Sequence, residues 1–239
     1  MRSPLRLSMH LFYNPDLSKK TVELSNEEYR HCVKVLRHLE GDTIHITNGN
    51  GKIIEARIDK IDKGILSASK QSEKLISTPS YTTNLFIAPT KQMDRMEWMV
   101  EKCCEIGVTS ITFIKTKNTE RSHIKIDRLL KKSLSALKQS KNGWMTQIYE
   151  MVEMKAALST STSEIKLIAA LKTGLNHIVA SVRANRDVDI FIGPEGDFTD
   201  QEVAFAIKKG AKEVSLGKGV LRTETAGFFS CAAVNLINH

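Results

Sequence analysis

Two glycine-containing loops near the end of the sequence carry the residue types best suited to binding a ligand and reacting with it. Residues 193–196 and 216–226 combine glycines with Glu195, Arg222 and Glu224. Glycine lets a backbone approach a ligand closely, so free amide and carbonyl groups can hydrogen-bond it. Arg222 is suited to stabilising negative charge that develops in a reaction. The alternative is that the glycines serve turn geometry and that Arg222 pairs with Glu224 to fix the loop.

Both loops fall where strands of a parallel sheet should pass into helices. A capping box at Thr199 and Glu202 predicts a helix after the first loop, and residues 224–237 have the pattern of the last helix. Repeated βα units indicate a parallel sheet whose ligands bind at the carboxyl ends of the strands. Apolar runs predict strands at residues 85–88, 111–114, 165–171, 189–192 and 214–216.

The first seventy residues have a different pattern. Ser25 and Glu28 have the spacing of a capping box, which predicts a helix that ends near His38. Alternating apolar residues separated by tight turns then predict short strands, and together these elements indicate a small β-barrel with one helix. A stretch rich in serine and threonine follows, and we place a domain boundary at its start. The predicted domains are residues 1–72 and 73–239.

Positive charge is concentrated in one segment. The chain has 35 lysines and arginines against 27 acidic residues, and residues 115–141 contain nine basic and two acidic residues. Such a field attracts phosphate backbones. The alternative is a solvated helix face, because Leu130, Leu134 and Leu137 form an apolar stripe beside the lysines. The candidates for phosphate contact are Arg37, Arg121, Lys125, Arg128, Lys131 and Lys132.

Several classes of protein are excluded by what the sequence lacks. It has no nucleotide-binding motif of the P-loop or Rossmann type. Its histidines lack metal-ligand spacing, so no metal site is expected. No apolar run reaches the length of about 18 residues needed to span a membrane. Residues 1–6 are positively charged but have no apolar segment behind them, so we expect no secretory signal. Four cysteines without paired spacing are typical of a reducing cytoplasm, where we expect the protein to act.

The order of its motifs resembles that of the RsmE family of ribosomal RNA methyltransferases, in the SPOUT class. The family usually has glycine where this chain has Asp197, and proline-arginine where it has Lys218 and Gly219. The matching segments are residues 31–42, 48–51, Lys91 with 94–97, 105–108, 120–122, 138–140, 193–196 and 221–226.

The resemblance implies a SPOUT-type α/β domain with a C-terminal trefoil knot, preceded by a PUA-like β-barrel domain. It also implies S-adenosylmethionine as cofactor, held mainly by the backbone of three loops. The implied cofactor-binding residues are Leu171, Lys172, Gly174, Ile192, Gly193, Pro194, Glu195, Gly196, Leu216, Gly217, Val220, Leu221 and Thr225.

The implied reaction is methylation of uridine N3 at position 1498 of 16S ribosomal RNA, by a homodimer. The partner is the RNA or the small ribosomal subunit. Arg222, Glu195 and Glu224 become the catalytic candidates: Arg222 stabilises charge on the uracil carbonyls or a phosphate, and Glu195 orients the loop or cofactor or acts as general base. The alternatives are a SPOUT ribose 2′-O-methyltransferase and a noncatalytic RNA-binding factor of ribosome assembly.

Overall fold

The computed structural model describes residues 10–172 and 174–238, and the chain forms two units. One unit holds the chain up to Thr78 together with Leu137–Met145, and the other holds Pro79–Ala136 and the chain from Thr146 onward. The expectation of no secretory signal concerns residues 1–6, which lie outside the described residues.

The N-terminal unit is built on a five-stranded sheet with the order β1-β3-β4-β5-β2. Strand β1 pairs with β3 in parallel, and the other pairs are antiparallel. Alternate residues point inward, so that Phe12, Ile44, Ile54 and Leu66 meet in the core. The strands are β1 Leu11–Tyr13, β2 Thr21–Ser25, β3 Thr43–Thr47, β4 Lys52–Asp62 and β5 Ile65–Leu75.

The helix predicted to run to His38 is shorter and less regular than expected. Helix α1, Asn26–Tyr29, continues into a π-helical segment, Arg30–Val35. The predicted capping box is wrong: Ser25 makes no side-chain cap, because Asn26 has a left-handed φ of 51° and distorts the first turn. Glu28 instead accepts hydrogen bonds from the backbone of Tyr13 and from Lys138, at 3.1 and 2.6 Å.

A later segment of the chain completes this unit. The Gly51 amide donates to the Gly143 carbonyl at 2.8 Å, and the Met145 amide donates to the Gly49 carbonyl at 2.9 Å. The Trp144 ring lies so close to Gly51 that a Cβ there would be 2.5 Å from it. Glycine at this position therefore reflects contact with the tryptophan, in addition to its φ of 78°.

The C-terminal unit contains a six-stranded sheet in which every pair of neighbours is parallel, as the sequence predicted. The order is β11-β9-β10-β6-β7-β8. Five strands lie at or near the predicted apolar runs. The edge strand β8 was not predicted, because its side chains are mostly exposed and it has no continuous apolar run. The strands are β6 Thr83–Ile87, β7 Ser110–Lys115, β8 Gln147–Glu153, β9 Ile165–Ala169, β10 Val188–Ile192 and β11 Lys212–Val214.

Five further helices are present; α4 was not predicted from the sequence, and the prediction for α3 contains one error of register. Gly227 lets the last helix approach the sheet closely, since a Cβ there would lie 2.8 Å from Ile87. The predicted stripe of Leu130, Leu134 and Leu137 is partly wrong: Leu130 is 39% exposed, whereas Leu129 is buried. The helices are α2 Met93–Glu105, α3 Ile126–Ser140, α4 Met154–Thr160, α5 Asp200–Lys208 and α6 Thr223–Asn238.

Neither a membrane-spanning helix nor a cluster of metal ligands occurs among the residues described. Within residues 10–172 and 174–238, no helix has the length and apolar character to cross a membrane. The same residues contain no group of three histidine, cysteine or acidic side chains arranged to hold a metal ion.

Candidate functional site

A cavity of about 840 Å³ lies at the carboxyl ends of three adjacent strands, β11, β9 and β10. Each strand contributes the loop that follows it. The two glycine-containing loops of the sequence therefore lie side by side, and the loop after β9 joins them. This is the position at which parallel sheets usually bind ligands.

Most of the predicted site residues line this cavity. Gly196 and Thr225 do not: the Gly196 carbonyl accepts a hydrogen bond from Asn118 at 3.0 Å, and Thr225 lies in a second, smaller cavity. Thr173, inside the predicted first loop, is not among the residues that the structure describes. The predicted residues that do line the cavity are Leu171, Lys172, Gly174, Ile192, Gly193, Pro194, Glu195, Leu216, Gly217, Val220, Leu221, Arg222 and Glu224.

Hydrogen bonds tie the three loops to one another. The Thr223 hydroxyl donates to the Gly193 carbonyl at 3.2 Å, which joins the third loop to the second. The Leu171 amide donates to Asp197 at 3.4 Å, which joins the first loop to the second. The cavity is therefore organised before any ligand arrives, which lowers the ordering cost of binding.

Two of the glycines are required for different reasons. A Cβ on Gly193 would lie 3.1 Å from the Phe198 ring and 3.3 Å from the Phe198 amide nitrogen, so close packing favours glycine there. Gly217 has a φ of +128°, a conformation that L residues rarely adopt, although the space around it is open. The turn-geometry interpretation is thus correct for Gly217, and it coexists with a place in the cavity wall.

The predicted alternative for Arg222, an ion pair with Glu224, is wrong. Glu224 is buried and lies beside Arg95 of α2, with 3.8 Å between Arg95 Nε and Glu224 Oε1. A buried carboxylate needs such a partner because it has lost its hydration. Arg222 is exposed, and no ion-pair partner for it occurs in the described part of the chain. Sequence reasoning missed this role of Arg95 because it lies more than 70 residues before the loops.

The second cavity, of about 380 Å³, adjoins the first. The two cavities share Arg95, Arg222 and Glu224 in their walls. The smaller one is completed by Asp94, Trp98 and Thr225. The two cavities are therefore neighbours separated by these shared residues.

Comparison with known proteins places the chain in a family. Residues 77–235 match the model of an RNA methyltransferase domain, and residues 24–70 match an RNA methyltransferase PUA domain. Ribosomal RNA small subunit methyltransferase E of Rickettsia conorii is 28% identical over 232 residues, which cover 95% of each chain. The chain belongs to the RsmE family.

Solved structures of similar proteins agree with this assignment. A probable rRNA-methyltransferase from Porphyromonas gingivalis is 35% identical, with a TM-score of 0.91 and coverage of 96% of this chain and 98% of the other. The small subunit methyltransferase E of Neisseria gonorrhoeae, bound to S-adenosyl methionine, is 28% identical with a TM-score of 0.86 and the same coverage. The RsmE fold thus extends over both sequence domains.

One departure from the RsmE pattern has a structural explanation. Asp197 stands where the family usually has glycine, and its φ is +59°, in the left-handed region. Aspartate tolerates that region better than most residues. Its amide closes the turn on the Pro194 carbonyl at 3.0 Å, and its carboxylate accepts from the Phe198 amide at 2.7 Å. Asp197 therefore keeps the backbone of this RsmE loop and adds a side-chain link to Leu171.

Of the charged residues at the larger cavity, some form ion pairs within the protein and others do not. Lys172 lies 2.9 Å from Glu213, and this hydrogen bond, with the charge of Glu213, raises the pKa of Lys172 above its usual value. Glu195 is exposed, and the ion pairs of residues 10–172 and 174–238 do not include it. Glu195 is therefore available to a ligand, whereas Lys172 is largely held by the protein.

The helix after the second loop begins with the predicted capping box, which is confirmed. Thr199 accepts from the Glu202 amide, while Glu202 accepts from the amide and hydroxyl of Thr199, both at 2.8 Å. Its other carboxylate oxygen accepts from the Lys117 amide at 2.8 Å. Burial opposes ionisation of Glu202, but these hydrogen bonds and the charge of Lys155 outweigh it and lower the pKa of Glu202.

Glu202→Gln is expected to destabilise the protein at pH 7 by about 1.5–3 kcal/mol, the usual range for hydrogen bonds to a charged group. Because the pKa is lower in the folded state, this stability is complete above the unfolded value, 4.5, and disappears as pH falls through the folded value. Urea unfolding at pH 7 and pH 3.5 measures the difference. If the wild type and the Glu202→Gln variant differ in unfolding free energy by the same amount at both pH values, the ionised Glu202 carboxylate is not the source of this stability. Thr199→Ser, which keeps the cap, is the control.

Two of the predicted phosphate-binding arginines have protein partners. Arg121 donates from Nε to the Thr90 carbonyl at 2.9 Å and from Nη2 to the Lys91 carbonyl, so it clamps the start of the loop before α2. Arg128 lies 2.6 Å from Glu97 and links α3 to α2. Both residues have a structural role whatever else they bind.

The other predicted phosphate-binding residues also differ in whether they have a partner within the protein. Lys132 lies 3.5 Å from Glu101 of α2. Lys125 and Lys131 are exposed, and no ion pair of either occurs in the part of the chain that is described. Arg37, in the N-terminal unit, is exposed and has a φ of +59°. Lys131 of α3 and Lys125, which directly precedes this helix, are thus the basic residues of this segment that are best placed to bind an external anion.

Proposed function

We propose that this protein transfers a methyl group from S-adenosylmethionine to N3 of a uridine in 16S ribosomal RNA, with position 1498 as the expected target. The observation that carries the proposal is the junction of two cavities across Arg222. One cavity is lined mainly by three loops, and the other by residues of α2 and of the start of α6. Membership of the RsmE family supports the same reaction.

The larger cavity fits the cofactor in size and chemistry. Its volume lies in the range of small-molecule sites. Leu171 and Val220 line it and are 62% and 79% exposed, which is unusual for large apolar side chains and suits an apolar ring of the ligand. The main-chain groups of residues 218–221 have no hydrogen-bond partner among the residues described, so they can bind polar atoms of a ligand. When bound, S-adenosylmethionine supplies a methyl group on a positively charged sulfur, which is already a strong electrophile.

The protein's own residues then have to expose a nucleophile. Uridine N3 reacts only after its proton passes to solvent at the exposed smaller cavity, and Arg222 stabilises the negative charge that this places on the uracil carbonyls. Glu195 lines the larger cavity but not the smaller one. Of its two sequence-based roles, orientation of the cofactor or loop therefore suits its position better than general-base catalysis. Glu224 acts by holding Arg95 in the wall that the two cavities share.

We place RNA binding in residues 1–72, as a PUA-like domain, and methyl transfer in residues 73–239, where the resemblance also implies a trefoil knot. The family models match inside these two ranges. Phe229 and Leu236 of α6 are 37% and 77% exposed, and they support a homodimer that covers this helix. The partner is 16S RNA or the small ribosomal subunit, and the cytoplasm is the proposed compartment.

Lys131→Gln is expected to weaken binding to 16S RNA and to reduce the slope of log affinity against log salt by about one, because one phosphate contact is lost. Lys132→Gln is the matched control, since Lys132 is already engaged by Glu101. Filter binding at several salt concentrations measures both slopes. An unchanged slope in the Lys131 variant would remove this residue from the RNA interface.

The function is tested on ribosomal RNA from cells with and without this protein. We expect 3-methyluridine to be missing from 16S RNA of the deletion strain and to be restored by the purified protein with S-adenosylmethionine. Mass spectrometry of nuclease digests locates the methyl group. A methyl group on a ribose would identify a 2′-O-methyltransferase instead. Binding to RNA without any methylation would leave a noncatalytic assembly factor.

A further inference from the structure

The smaller cavity has a composition that the cofactor does not explain. It contains a half-exposed tryptophan, an exposed carboxylate and an exposed guanidinium: Trp98 is 43% exposed, and Asp94 and Arg222 are both exposed. Asp94 and Trp98 are four residues apart on α2 and so lie on one face of the helix. We propose that this cavity is the binding site for the uracil ring, with Trp98 as its stacking surface. This inference rests on the proposed function and adds the substrate side of the site.

Trp98 is positioned to stack rather than to fill the core. Its ring meets Phe228 of α6 edge-on, with 5.7 Å between ring centroids and an interplanar angle of 70°. This contact holds the indole at the cavity, while 43% of the residue stays accessible. Proteins that take a base out of its stack commonly place it on an aromatic side chain.

The polar groups of the cavity match the edge of uracil. That edge presents a donor, N3–H, between two carbonyl acceptors. Among the residues described, Asp94 and Arg222 have no ion-pair partner, so the Asp94 carboxylate can accept from N3–H and Arg222 can donate to a carbonyl. Cytosine presents an acceptor at N3 and an amino donor at C4, so Asp94 would repel it. Asp94 and Trp98 are therefore specificity and positioning residues for the base.

In this proposal S-adenosylmethionine occupies the larger cavity and the uracil ring occupies the smaller one. Arg95, Arg222 and Glu224 form the wall common to the two. A base on Trp98 would lie beside Arg222, which also lines the larger cavity. Trp98 and Asp94 do not line the larger cavity, so changes to them should leave cofactor binding intact.

Fluorescence tests the site without requiring catalysis. The chain has two tryptophans, and Trp144→Phe leaves Trp98 as the only indole. Titration with a 16S RNA fragment that contains the target uridine should quench Trp98, and the same fragment with cytidine at that position should quench it much less. Equal quenching by the two fragments, or none by either, would overturn the proposal.

Kinetics provide the second test. Trp98→Ala should lower kcat/KM for RNA by about 5- to 150-fold, the range given by loss of one base-stacking contact, and Trp98→Phe should restore most of it. Calorimetry should show the same affinity for S-adenosylmethionine in all three proteins. If Trp98→Ala instead changes the sedimentation of the protein and leaves KM for RNA unchanged, a second copy of the chain covers Trp98 and the proposal is wrong.

The two proposals can fail separately. Quenching of Trp98 by the uridine fragment in a protein that forms no 3-methyluridine would support the base site and reject the reaction. Formation of 3-methyluridine with an unquenched Trp98 and an unaffected Trp98→Ala variant would support the reaction and reject the base site.

Discussion

Arg222→Ala is expected to lower kcat for RNA methylation by about 100- to 1000-fold, while the affinity for S-adenosylmethionine changes little. This range is typical for removal of one group that stabilises charge developing in a transition state. Arg222 is suited to that role because it is exposed at the junction of the two cavities and Glu224 is engaged by Arg95. Single-turnover rates with 16S RNA measure the chemical step, and calorimetry measures the cofactor.

Two further variants separate charge from geometry. Arg222→Lys keeps the charge but not the planar donor fork, so its rate should lie between those of the wild type and the alanine variant. Lys218→Ala removes a different cation from the same loop and should lower the rate by less than about tenfold, since Lys218 does not line the smaller cavity. Loss of cofactor affinity in Arg222→Ala would show that this residue maintains the loop instead.

Gly217→Ala should weaken binding of S-adenosylmethionine by about 5- to 150-fold. Gly217 has a φ of +128°, and forcing an L residue into such a conformation costs about 1–3 kcal/mol. The third loop relieves this strain by changing shape, and residues 216–221 of its main chain then leave their positions in the cavity wall. Calorimetry with the purified variant measures the loss.

Gly219→Ala is a closely matched control. Both glycines lie in the same loop, both line the cavity, and a Cβ on either would meet no atom within 4 Å. They differ in that Gly217 alone has a φ in the left-handed half of the map. Equal losses in the two variants would mean that the added methyl groups obstruct the ligand and that backbone conformation is not the cause.

Sequence patterns predicted the parallel sheet because its strands are buried and form short apolar runs. They predicted the capping box of α5 and missed the irregular first turn of α1, although both begin with a hydroxyl residue three positions before a glutamate. The difference is the left-handed φ of Asn26, which depends on the fold around it. Strand β8 escaped prediction because an exposed edge strand needs no apolar run.

The loops of the candidate site could be predicted from the sequence, but the residues of α2 that lie against them could not. Glycines, Arg222 and Glu224 are close together in the chain and form a recognisable local pattern. Arg95 and Trp98 belong to a helix far earlier in the chain, and only the fold brings them to the same place. The alternative ion pair of Arg222 with Glu224 was wrong because Glu224 has one arginine near it in sequence and another, Arg95, near it in space.

The segment Leu137–Met145, which hydrogen-bonds to Gly49 and Gly51, has a consequence for biosynthesis. During translation the N-terminal unit cannot acquire all of its native contacts until this later stretch has been made. At about 5–20 residues per second, synthesis reaches residue 145 roughly 7 to 29 seconds after it starts. Between completion of Thr78 and of Met145, which takes roughly 3 to 13 seconds at the same rate, Gly51 lacks the Trp144 ring that packs on it, and a gene truncated after residue 72 would make that exposure permanent.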